Sequence, residues 1–181
     1  MTTTTRDRIL DALENLLLDK GMSQVTLENV AASAGVSKGG LLYHFKSKDA
    51  LLAGLVRRLS QRAEHQLDAA VAKGTPVAEW YLQTPNPGNA ADALELALFR
   101  SMVAAMRTID AKSGPETDEV QQALSDMMDS WSEGLDKDID DPVRADIIRL
   151  VGDGVYLRAL LGLPQVAPPR YRKVVDRLLE R

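Results

Sequence analysis

Residues Thr26 to Lys48 read TLENVAASAGVSKGGLLYHFKSK, and the pattern within these 23 positions decides the fold. Leu27, Val30, Ala31 and Ala34 recur at i, i+3, i+4 and i+7, which puts one apolar stripe on a helix of about two turns. Thr26 is the cap of that helix. Gly35 follows the last periodic residue, where a left-handed backbone lets the chain reverse and a side chain would clash. Ser37 caps again. The helix it opens, Lys38 to His44, is too short to be stable alone and offers only Leu41, Leu42 and Phe45 to a core. Its other face is left for another task. In a helix-turn-helix the first helix crosses the phosphate backbone and the second lies in the major groove, with its N-terminal residues at the base edges. Lys38, Gly39 and Gly40 occupy those positions.

Working outward, GVSKGGLLYHFKSKDAL at residues 35 to 51 resembles the DNA-binding signature of TetR-family transcriptional regulators, whose usual pattern is close to GVSKGTLYYHFKSKEAL. The resemblance runs from Arg6 to Leu59. Beyond that it is architectural, because the family continues as an all-helical domain that binds a small molecule and dimerises. The resemblance implies that Lys38, Gly39 and Gly40 face bases and that Thr26, Ser37, Tyr43, His44 and Lys48 face phosphates. It further implies a homodimer on a near-palindromic double-stranded DNA operator, acting as a repressor released by its ligand. Each position has a physical reason. Lys38 can donate to guanine O6 and N7, and the free N–H groups of the helices that Thr26 and Ser37 cap attract phosphate oxygens. His44 reads as a neutral phosphate donor rather than a metal ligand.

Two departures from the pattern carry information. Leu42 stands where an aromatic is frequent, so a phosphate contact made from that position is either missing or shifted to Tyr43. Gly40 replaces a common threonine. Two adjacent glycines inside a helix cost roughly 1 kcal/mol each relative to alanine, so Gly39 and Gly40 point either to a helix backbone that approaches the duplex closely or to drift at an exposed site.

The whole chain has 181 residues, 45% apolar and 27% charged, enough for a substantial core in one compact unit or two small domains. The absence of cysteine excludes disulfides and thiolate zinc sites. The most apolar stretch, Leu94 to Met106, is broken by Arg100 and Ser101, so no membrane span is expected. The start, MTTTTRDR, reads as a short flexible arm without a signal core, and a cytoplasmic protein is expected. The net charge of −4 is segregated: residues 1 to 65 carry nine Lys/Arg against seven Asp/Glu, and the remainder carries 13 against 19. Arg6, Arg8, Lys38, Lys46 and Lys48 are available for phosphates, while the acidic remainder favours a single docking face.

Periodicity is helical throughout, so the class is all-α, with about nine helices. The first runs from Arg6 to Lys20, with Ile9, Leu10, Leu13, Leu16 and Leu17 inward, Thr4 and Asp7 at capping-box spacing and Gly21 as the stop. A long helix over residues 48 to 72 connects a DNA-binding domain at 1–47 to an effector-binding and dimerisation domain at 48–181. Further helices are expected at Val77 to Gln83, Asn89 to Thr108, Pro115 to Leu135, Pro142 to Leu161 and Arg170 to Arg181, with the acidic run Asp136 to Asp141 as a loop. Val151, Val155, Leu160, Val174, Leu178 and Leu179 of the last two helices are candidate dimer contacts, or else close the core of the protomer.

The C-terminal part gathers Trp80, Tyr81, Phe99, Met102, Met106, Met127, Met128, Trp131 and Tyr156 in a chain with only 4% aromatics. Such residues suit an aromatic or cationic effector, and equally a plain core. The candidate effector residues are Trp80, Phe99, Met102, Met106, Met128, Trp131, Asp153 and Tyr156. Asp153, between Gly152 and Gly154 in an apolar stretch, needs a partner, either Arg100, Arg149 or Arg158, or a cationic ligand. Its flanking glycines either admit a close helix or loosen the turn where a ligand enters. With two histidines and no phosphate loop, neither catalysis nor a metal or cofactor is expected. The rival reading is an all-helical small-molecule-binding or adaptor protein that has lost operator recognition.

Overall fold

The computed structural model describes residues 4–86, 88–109 and 118–180, less the side chains of 101, 102, 104–109 and 118. Among these residues the chain is all-helical, as the periodicity requires. The helices are α1 (Thr5–Lys20), α2 (Leu27–Ala34), α3 (Lys38–His44), α4 (Lys48–Val71), α5 (Val77–Tyr81), α6 (Ala90–Ile109), α7 (Asp118–Asp138), α8 (Pro142–Leu160) and α9 (Pro168–Leu178). They form two compact units, one of residues 1–60 with 97–126, the other of 61–96 with 127–181.

Local chemistry sets the helix ends in the first unit. Thr4 and Asp7 make a reciprocal capping box on α1, and the Oγ atoms of Thr26, Ser37 and Ser47 accept from Asn29, Gly40 and Ala50 N–H at 3.1, 3.0 and 2.9 Å. Gly35 has φ 66° and ψ 37°, the left-handed turn expected between α2 and α3. Packing does the rest. Ile9, Leu10 and Leu13 of α1, Val30 of α2, Leu41 of α3 and Leu51, Leu55 and Val56 of α4 are completely buried. Arg58 ties α4 to α1 through Asp11 at 2.5 Å and the buried Glu14 at 3.5 Å.

Phe45, directly after α3, is buried against α4 at Gly54, where a Cβ would lie 2.6 Å from the ring's Cε1. The Arg6 guanidinium covers the ring at 5.2 Å from its centroid. Arg8 donates to the carbonyl of Ala34 at 2.7 Å, at the C-terminal end of α2. These two arginines thus help hold α1 to the helix-turn-helix, and both stay exposed. The last α2 carbonyls lack helical partners and lie within reach of Arg8.

The second unit is built on Ala78, Leu82, Leu135 and Ile148, with Val151, Leu178 and Leu179 packed against them. Three of the expected dimer contacts are therefore spent inside the protomer. The acidic run is also not a plain loop. Asp136 to Asp138 continue α7, Asp138 accepts from the Ala78 N–H at 3.1 Å near the start of α5, and Asp141 caps α8. Two prolines begin α9 at Pro168, before the expected Arg170, because the first helical turn needs no N–H donors.

The Gly54 contact has a measurable consequence. Gly54→Ala should lower stability by about 1–3 kcal/mol through overpacking on Phe45, read as a reduced denaturation midpoint; an unchanged or raised midpoint would show that the ring is not so confined.

Candidate functional site

The face of α3 turned away from Leu41 is the first candidate. Tyr43 is 86% exposed, Lys38 and Gly39 are exposed, and Gly40 and His44 are partly so. The Tyr43 and His44 rings meet edge to face at 5.2 Å. Thr26 and Ser37 are exposed as well, so the capped ends of α2 and α3 and the outer side of α3 lie at the surface. Lys48 is half-buried at the start of α4, and burial lowers its ammonium pKa. Gly39 is not demanded by its own chain, whereas Gly40 sits close against the capping hydroxyl of Ser37. A Cβ on Gly39 would come no nearer than 4.0 Å to another atom, and one on Gly40 would sit 3.3 Å from the Ser37 Oγ. The sequence signal missed one partner: Lys38 Nζ lies 2.7 Å from Glu28 Oε1 of α2, and that hydrogen bond holds the Glu28 carboxyl below its usual range.

The second candidate lies in the second unit, around Tyr81. Its ring rests on α8 at Gly152, where a Cβ would collide with Cδ1 and Cε1, so this glycine admits a close neighbour. The Tyr81 hydroxyl donates to Asp153 Oδ1 at 2.6 Å, and the ring meets Trp131 edge to face at 6.5 Å. Burial first, and the Asp153 hydrogen bond second, push the Tyr81 hydroxyl far above the usual tyrosine range. The partner of Asp153 is therefore a tyrosine and not one of the arginines expected. Arg149 is engaged by Asp136 and Asp146, and Arg158 by the carbonyl of Pro164.

One turn further along α8, the Tyr156 hydroxyl donates to Glu95 Oε1 at 2.9 Å. Burial raises the Glu95 carboxyl pKa, with Tyr156 opposing it. The buried indole N–H of Trp131 finds no acceptor among the described residues. Structure thus joins Trp131 and Asp153 through Tyr81, and adds Glu95 beside Tyr156. Trp80 is half-buried on α5, Met128 is exposed on α7, and Phe99 is buried in the first unit. Met102 and Met106 belong to α6, and their side chains lie outside those described.

A third feature was not foreseen. Val143, Ile147, Leu150, Leu157 and Leu161 expose one apolar stripe along α8, with Leu150 at 72%. A groove of about 460 Å³ runs beside it, lined by Leu150, Gly154, Leu157, Leu161, Leu163 and Val166 among others. No helix of the described residues is long and apolar enough to cross a membrane, and no group of His, Asp or Glu among them could hold a metal.

Residues 9–55 match the family model described as bacterial regulatory proteins, tetR family, and residues 75–181 match the tetracyclin repressor-like C-terminal domain. The HTH-type transcriptional regulator PksA of Bacillus subtilis is 22% identical over 180 residues, covering 97% of this chain and 88% of the relative. The HTH-type transcriptional regulator AlkX of Mycobacterium tuberculosis is 36% identical over 66 residues, which is 36% of this chain and 31% of that protein. The solved structure of the multidrug binding protein EbrR complexed with ethidium shares the fold, with a TM-score of 0.67 at 24% identity over 98% of this chain and 99% of that one. The two matched segments together account for most of the chain, and it belongs to the TetR family of helix-turn-helix transcriptional regulators.

Proposed function

We propose that this regulator is a cytoplasmic, ligand-released repressor that binds a near-palindromic operator as a homodimer. Residues 1–47 serve as the DNA-binding domain and 48–181 as the effector-binding and dimerisation domain, with the helix at 48–72 as connector. The outward face of α3 carries the reading: a seven-residue helix with an exposed lysine and, beside it, a glycine at position 39 that no neighbour in the chain requires. Lys38, Gly39 and Gly40 meet the bases; Thr26, Ser37, Tyr43, His44 and Lys48 meet phosphates.

One such helix touches few base pairs, so specificity needs two half-sites about 34 Å apart. The exposed stripe on α8 supports a second copy of this chain as its occupant, since a two-fold axis sets the same apolar face against itself. Trp131, Asp153 and Tyr156, with Tyr81 on Asp153 and Glu95 on Tyr156, support an effector that is cationic or aromatic and brings an acceptor to an indole N–H that has none among the described residues. A ligand that binds better to a dimer unsuited to the operator must weaken operator binding by the same factor, ~5- to 150-fold for a coupling of ~1–3 kcal/mol.

Gly39→Ala separates recognition from stability. Relieved of a helix-interior glycine, the variant should gain up to about 1 kcal/mol in stability, yet lose roughly tenfold in operator affinity through lost approach to the bases. Operator binding undiminished in a gel shift, or no duplex enriched at all by the wild-type protein, would favour the adaptor reading instead. Leu150→Glu with Leu157→Glu should yield a folded monomer by sedimentation; a dimer that survives both charges would place the interface elsewhere. Binding of ethidium, followed by Trp131 fluorescence, should weaken about tenfold or more in Asp153→Asn, as befits a lost charge partner in a partly buried site; equal affinity would remove Asp153 from the site.

A further inference from the structure

Among the described residues, Glu28 is the carboxylate paired with a residue of the proposed base-reading face. It projects from the first turn of α2, ten positions before Lys38, and both side chains are more than half exposed while their charged atoms stand 2.7 Å apart. Neither is needed by the core. An ammonium has three N–H donors, so the contact with Glu28 leaves two, the number of acceptors that a guanine edge presents at O6 and N7. Those acceptors are neutral. A phosphate oxygen reaching the same ammonium is an anion, and it would arrive beside the Glu28 carboxylate, which burial does not shield and which Lys38 keeps ionised.

We propose that Glu28 is a positioning residue for Lys38, a charge filter that discourages the lysine from settling on phosphates while leaving it free to read a base. The inference rests on the assignment of Lys38 to the base edges. It places part of the chain's sequence discrimination on α2, in a residue that need touch no base.

The test uses the full-length protein and a duplex enriched by the wild type from a randomised library, against a scrambled duplex of equal length and composition. Glu28→Gln should bind the scrambled duplex roughly five- to tenfold more tightly near 0.1 M salt, with a salt slope steeper by about one. Affinity for the enriched duplex should change by less than about twofold, so that the specificity ratio falls. The same change made in Lys38→Ala should leave the ratio where Lys38→Ala alone puts it. An unaltered ratio in Glu28→Gln, or an equal drop without Lys38, overturns the filter while leaving Lys38 as a reader. If Lys38→Ala itself keeps the wild-type ratio, the base-reading assignment falls and the filter with it.

Discussion

The placement of Phe45 is the constraint on which the rest depends. A helix of seven residues gains too few internal hydrogen bonds to offset its ordering entropy, so α3 exists because its ends are held from outside. Ser37 holds the first turn, Leu41 is buried in the middle, and Phe45 is seated between Gly54 and the Arg6 guanidinium at the end. The two buried anchors, Leu41 and Phe45, lie on one side of α3. The opposite side is thereby presented as a rigid surface without any contribution of its own to the core, and its residues can be chosen for a ligand.

The second unit applies the same economy around Tyr81. Gly152 removes the atom that would keep the ring off α8, and the ring's hydroxyl then satisfies Asp153 without a full ion pair. A buried arginine partner would have cost the desolvation of two charges. A phenol leaves the carboxylate its second oxygen and keeps it near an aromatic edge and an indole N–H that has no acceptor among the described residues. In the proposed mechanism that residual bonding capacity is what a ligand answers, and the helix that carries it, α8, is also the one whose outer stripe awaits a second copy.

Much of this was legible in the sequence where the chemistry is local. Thr26, Ser37, Ser47 and Gly35 announce helix ends because a cap acts on N–H groups three residues away and a left-handed turn acts within one. Distance in the chain is what hid the remainder. The Tyr81–Asp153 bond spans 72 residues and the Lys38–Glu28 pair links two helices, so neither spacing has a period to detect. Helix α8 is apolar on several faces, and periodicity alone could not say that Val151 turns inward while Leu150, next to it, turns out. Asp136 to Asp138 read as a solvated run because their charge is local, whereas the N–H that Asp138 accepts belongs to a helix 60 residues earlier.

The most direct test of the central claim, that the outward side of α3 is the reading surface, is amide NMR of the full-length protein titrated with its enriched duplex. The account expects the Gly39 and Gly40 amide signals to shift most, with Tyr43 and Lys48 following and the signals of α9 unmoved. Shifts that spare Ser37 to His44 and gather on another helix would contradict it.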